Sequence, residues 1–127
     1  MSALQSVLLL VSAGYSIAFA VFHLGFWRIF DWRNDLGHLT YINRGVVQIL
    51  NLCLTFVFVL FAYIVIAHRS EIVTTAIGRS LLLGISVFWL LRMLEQVWFF
   101  GLKRPLSIAF TVVFLVGTVL NILPLYV

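Results

Sequence analysis

Residues 81–101 read LLLGISVFWLLRMLEQVWFFG. The stretch is long enough to be a membrane span, since about 20 apolar residues in a helix cover the hydrocarbon core. It nevertheless carries Arg92, Glu95 and Gln96 within five positions. The rest of the chain decides how it is read. Of 127 residues, 64% are hydrophobic and 9% charged, and the mean hydropathy is +1.17. A water-soluble domain of this length has too little interior to hide so much apolar surface. Lipid is therefore the expected solvent, and residues 81–101 are a span with three polar groups set into it.

Three other segments share this character, so the chain is expected to be a single all-α domain, an integral membrane bundle of four transmembrane helices at about 4–27, 45–67, 81–101 and 106–127. The third helix can begin earlier, because residues 72–77 also suit a helix. Ser70 would then be the N-cap and Glu71 would lie at the positive end of the dipole. Arg79 would snorkel to the near interface. Ala18-Phe19-Ala20 has the look of a signal-peptidase site, but no basic residue precedes Arg28 and the apolar run continues through Trp27. A retained helix is the expected reading.

The connections differ in charge. The first, RIFDWRNDLGHLTYINR, holds Arg28, Arg33 and Arg44, and the third holds Lys103 and Arg104. The middle one holds Arg69 and Arg79. With four spans the first and third share a face, which the positive-inside rule places in the cytoplasm, with both termini outside. Trp27, Trp32 and Tyr41 suit the interfacial belt there, and Asn34, Asp35 and Gly37 mark a turn. The single Cys53 excludes an intrachain disulfide and is expected to be a packing residue. Nothing in the basic residues forms a patch for nucleic acid. Phosphate-binding glycine loops, zinc-spaced histidines and a nucleophile elbow are absent, and no metal site is expected.

Helical spacing gathers the remaining polar residues into stripes. Ser12, Ser16 and His23 share a face of the first helix, and Arg44, Gln48, Asn51 and Thr55 one of the second. Arg92, Glu95 and Gln96 lie together on the third, with Ser107, Thr111, Thr118 and Asn121 on the fourth. Lipid is a poor environment for these groups, so the stripes are expected to face one another or a neighbouring subunit. By helical rise, His23 lies about 7 Å inside Arg28 and Glu95 about 12 Å inside Lys103. His23, Arg44, Gln48, Asn51, Arg92, Glu95 and Gln96 thus converge on the basic half of the bundle, whereas Asn121 lies near the opposite surface.

Arg92 in contact with lipid would cost on the order of 2.5–3.5 kcal/mol, and Glu95, three residues on, is the expected partner. Two functions follow. In one, Arg92 and Glu95 form a structural ion pair that fixes helix or subunit packing, as in a non-catalytic membrane subunit. In the other, Arg44 and Arg92 present donors to an anionic ligand, with His23 or Glu95 available for proton transfer. Ion or proton movement is a third reading, without a continuous chain of acids to support it. His23 as a haem or metal ligand lacks a second intramembrane histidine. Phe-rich runs such as FVFVLFAY, residues 56–63, are expected to be lipid-facing bulk.

Four short spans, a basic first loop and an Arg near the start of the second helix resemble the MAPEG superfamily, the membrane-associated proteins in eicosanoid and glutathione metabolism. That family carries Arg-x-x-x-Asn-x-x-Glu in its second helix. Here RGVVQILN places Arg44, Gln48 and Asn51 at those positions, and Arg92 matches the Arg of the family's third helix. The resemblance implies an oligomer binding glutathione between subunits, with Arg44, Gln48 and Asn51 as ligand-binding residues and Arg92 stabilising a thiolate. The motif glutamate is replaced by Asn51, and the tyrosines that follow the third-helix Arg by Glu95, Gln96 and aromatics without hydroxyls. The text is also similar to small bacterial four-span proteins, which implies the bacterial inner membrane. Gly14, Ala18, Ser80 and Gly84 offer small-residue contacts to a homo-oligomer or a membrane-protein partner.

Overall fold

The computed structural model describes all 127 residues, and every regular element in it is helical. Helix α1 spans Ala3–Leu24, followed by the short α2 (Phe26–Ile29) and α3 (Trp32–Asp35) and a 3-10 turn, Leu36–His38. Helix α4 spans Tyr41–Ala67, α5 Arg69–Thr74, α6 Ala76–Phe100 and α7 Pro105–Ile122, extended by a 3-10 turn at Leu123–Leu125. Helices α1, α4, α6 and α7 (with its terminal turn) are long and apolar enough to cross a membrane. The protein is a small polytopic membrane protein.

The boundaries have local causes. Ser2 and Gln5 close a capping box on α1, and Gln5 Nε2 donates to the Pro124 carbonyl, joining the two chain ends. Helix α1 stops before the expected 27 because Gly25 interrupts it. The first connection then folds as short helical turns. Asp31 adopts the left-handed conformation (φ 51°), and its carboxylate accepts two bonds from Asn34 Nδ2. Thr40 caps α4 through the Asn43 amide. Arg44 therefore sits a turn inside the helix, where its guanidinium donates to the Leu39 carbonyl and to the Leu36 carbonyl, which also accepts from the Leu39 amide.

The third span starts earlier than 81, and its cap is Thr75, which accepts from the Gly78 amide. Ser70 is no cap: it lies inside α5, which begins after His68 without a side-chain bond. The α5–α6 corner is tight. A Cβ on Gly78 would collide with the Glu71 carbonyl oxygen and the Ile72 Cα. Arg79 does lie at this end, donating to the Val73 and Leu125 carbonyls.

Helix α1 packs along α4 and also against α7, and α6 packs along α7. Helices α4 and α6 meet through aromatic side chains, with Phe58 stacked on Trp89 at 5.2 Å and Phe88 edge-on to Phe58 and Phe61. Trp89, fully buried, is the hub of the core, ringed by Tyr15, Phe19, Phe58, Phe88 and Phe114.

The polar stripes point inward as expected, except for Glu95, which is exposed. Ser12 donates to Asn121 at 2.7 Å and Ser86 to the Thr118 carbonyl. Thr55, Thr111 and Thr118 return their hydroxyl protons to carbonyls four residues earlier. Burying such groups without partners would be costly. Gly14, Ala18, Ser80 and Gly84 face outward, as does Cys53.

Candidate functional site

A cavity of about 600 Å³ opens within the half of the bundle that carries the first and third connections, lined by residues of α1, α2, α4, α6 and α7. Its volume is ordinary for a small-molecule site. Most of the wall is aromatic, including Phe19, Phe22, Phe26, Phe58, Phe110 and Phe114. Phe58 belongs to the run expected to face lipid. Phe56 and Tyr63 of that run are exposed, but Phe58 is buried and forms wall. Phe56 and Phe58 are two positions apart, and at about 100° per residue that is enough to send them to opposite sides of α4.

The polar groups in this wall are few. Arg92, Gln96, Ser107 and His23 line it, and Arg104 stands exposed beside it. Arg92 reaches over Phe114, its guanidinium carbon 4.4 Å from the ring centroid, an arrangement favourable to a cation. One Nη2–H is donated to Gln96 Oε1 at 3.2 Å. Gln96 in turn donates to the Ser107 hydroxyl at 3.0 Å, and Ser107 donates to the Gly101 carbonyl. This relay fixes the end of α6 to the start of α7. Neither Nε nor Nη1 of Arg92 bonds within the chain.

Glu95 is not the partner of Arg92. The one contact between basic and acidic side chains within 4 Å is His68–Glu71, at 3.8 Å, and Glu95 is exposed on the outside of α6. Residues i+3 and i+4 flank the row above Arg92 on either side. The guanidinium follows Gln96, because the ring of Phe114 and the Gln96 amide lie on the α7 side and Glu95 does not. The expected ion pair is thus absent, and Glu95 does not line the cavity. Glu95→Gln is expected to leave both the melting temperature and any ligand affinity of the cavity unchanged. Thermal melts of the two proteins side by side would check this; a marked fall in the variant would restore the pair.

The second-helix residues form a separate cluster between α1 and α4. Asn51 clamps His23 from two sides, donating from Nδ2 to the His23 carbonyl at 2.9 Å while its Oδ1 meets His23 Nδ1 at 2.7 Å. Gln48 accepts from the Trp27 indole at 3.0 Å and donates to the Arg44 carbonyl. Arg44 is occupied with the 3-10 turn. Arg44, Gln48 and Asn51 do not line the cavity. They hold the first connection and His23 in place, and His23 alone of this cluster reaches the wall.

The expected residues therefore divide. Arg92, Gln96 and His23 come together around one cavity. Arg44, Gln48 and Asn51 stand behind His23, and Glu95 lies outside. Sequence reading missed Ser107 as the anchor of Gln96, Phe114 as the platform for Arg92, and Trp27 as the donor to Gln48. Ser107 was on the inward stripe of the fourth helix. The Phe114 contact is made between helices and leaves no trace in spacing along one helix. Compared with protein-family models, with curated proteins and with solved structures, the chain finds no match in any of the three.

Proposed function

We propose that this protein is a membrane-embedded receptor for an amphiphilic anion, a molecule with an acyl-like or aromatic body and a single acidic head. The observation that supports this is Arg92. It is a cation in a spanning helix with no carboxylate within ion-pair distance, its Nε and Nη1 have no partner within the chain, and it lines a cavity whose remaining wall is largely aromatic. A charge withdrawn from water needs a counter-charge or a strong hydrogen-bond set, and the cavity gives an anion access to it. The apolar wall takes the body, and the guanidinium fork takes the head. Arg104 adds a second cation beside the exposed Phe99 and Phe100. The basic excess of this end supports a cytoplasmic side for the cavity, both termini lying opposite, in the bacterial inner membrane that the resemblance to small bacterial proteins implies.

The resemblance to the MAPEG superfamily names glutathione as the anion and a transferase-like reaction as its use. An apolar-bodied anion is better supported, because Arg44, Gln48 and Asn51 are engaged within the chain and the accessible wall is hydrocarbon. One titration separates the two. Wild-type protein in nanodiscs is melted with laurate, with dodecanol and with glutathione. Laurate at a hundred times its dissociation constant is expected to add about 2.7 kcal/mol of stability, with far less from dodecanol, which has no charge, and none from glutathione. Stabilisation by glutathione alone would favour the transferase-like reading. Equal stabilisation by laurate and dodecanol would leave Arg92 without a ligand role.

A further inference from the structure

His23 is held in one orientation and one tautomer. The Asn51 amide donates from Nδ2 to the His23 carbonyl, so its oxygen must be the atom facing Nδ1. An amide oxygen only accepts, so Nδ1 carries the imidazole proton. In the neutral ring Nε2 then holds a lone pair. It makes no hydrogen bond within the chain, and the sole sealed-off side-chain polar atom without a partner is Trp89 Nε1. Nε2 is therefore open, on a residue that lines the cavity. Rings of Phe26 and Phe58, 4.2 and 5.1 Å from the imidazole, hold it in place.

Arg92 lines the same cavity as this imidazole. The cavity thus presents two unlike groups to one occupant: a cationic fork that only donates and a ring nitrogen that accepts. A simple fatty carboxylate, which has acceptors alone, satisfies the first and leaves the second bare. On the basis of the anion-receptor reading, we infer that the ligand of this cavity is an anionic amphiphile whose head also carries a hydroxyl, the anion bound by Arg92 and the hydroxyl donated to His23 Nε2. Two lipid chemistries supply such a head, a 2-hydroxy acid and a phosphoglycerol. Asn51 is the positioning residue: it touches no ligand and fixes which nitrogen accepts.

The test compares amphiphiles of equal charge. In nanodiscs at neutral pH, wild-type protein is titrated with 2-hydroxylaurate and with 2-methoxylaurate, which keeps the oxygen and removes the donor. The same comparison is made between lysophosphatidylglycerol and lysophosphatidylmethanol. A hydroxyl preference of about five- to tenfold is expected in one pair, the size of one neutral hydrogen bond, and the pair that shows it identifies the head. The preference is expected to vanish in His23→Phe, which still binds both compounds, and to return in part in His23→Gln, whose amide oxygen accepts. Equal affinities in wild type for both pairs would overturn the hydroxyl inference while leaving the anion receptor standing. So would a preference that survives in His23→Phe, since it would then be steric. Failure of all four compounds to bind would remove the receptor reading and this inference with it.

Discussion

Arg92→Gln is expected to weaken laurate binding by roughly a hundredfold while the ligand-free protein keeps its stability to within about 1 kcal/mol. The first number follows from the head-group contact: hydrogen bonds to a charged group contribute about 1.5–3 kcal/mol, and each 1.4 kcal/mol is a factor of ten. The second follows from what the substitution removes. The variant loses the contact over Phe114 but also sheds a partly buried cation with no carboxylate within ion-pair distance, and a cation held inside a membrane span is itself costly. Glutamine at this position retains an amide that can reach Gln96 one turn on. The bond that keeps the Gln96–Ser107 relay in order therefore has a replacement. Calorimetric titration and thermal melting of the same samples measure both quantities. If Arg92 served as packing glue, the pattern would invert, with a large loss of stability in the absence of any ligand.

Gly78→Ala is expected to destabilise the protein by about 3 kcal/mol or more, the largest effect of any substitution considered. The α5–α6 corner brings the Glu71 carbonyl and the Ile72 Cα onto the face of α6 where the new methyl would stand. These are backbone atoms, fixed by the Thr75 amide and hydroxyl, which both donate to the Glu71 carbonyl. No side chain can swing aside, so the corner itself must open, and overpacking that moves backbone lies at the costly end of its range. Ile72 and Val73 would be drawn out of the core with it. Gly84→Ala, with open space around it, is the control and is expected to be neutral or mildly stabilising through helix propensity. Chemical unfolding in mixed micelles would report both, and a small effect at Gly78 would show that the corner is loosely held.

The spans and the inward stripes were legible because each depends on one helix at a time. Length and hydropathy identify a crossing, and a 3.6-residue period identifies a face. Ser12 and Asn121 illustrate this: each was placed on an inward stripe, and they meet at 2.7 Å. The helix ends were read less well, since Gly25 and Thr75 act through local backbone geometry that an apolar run does not display. Arg92 shows the deeper limit. Spacing offered Glu95 and Gln96 almost equally, and opposite charge favoured Glu95. The choice was made by α7, which brings Phe114 and Ser107 to one side only. The cavity is beyond such reading altogether, because five helices each contribute part of its wall. The Arg44-Gln48-Asn51 row was visible, yet its partners Leu36, Trp27 and His23 come from the first connection and α1. Those contacts turn a row of potential ligands into the support for a single imidazole.

The most direct test of the receptor is to locate the head of a bound anion. Laurate labelled with ¹³C at its carboxyl carbon, added to protein in nanodiscs with ¹⁵N in its arginine guanidinium groups, allows dipolar recoupling between the two labels by solid-state NMR. Strong recoupling in wild type that disappears in Arg92→Gln is the predicted result. Recoupling that persists in the variant, or none in wild type at saturating laurate, would contradict an anion site at Arg92.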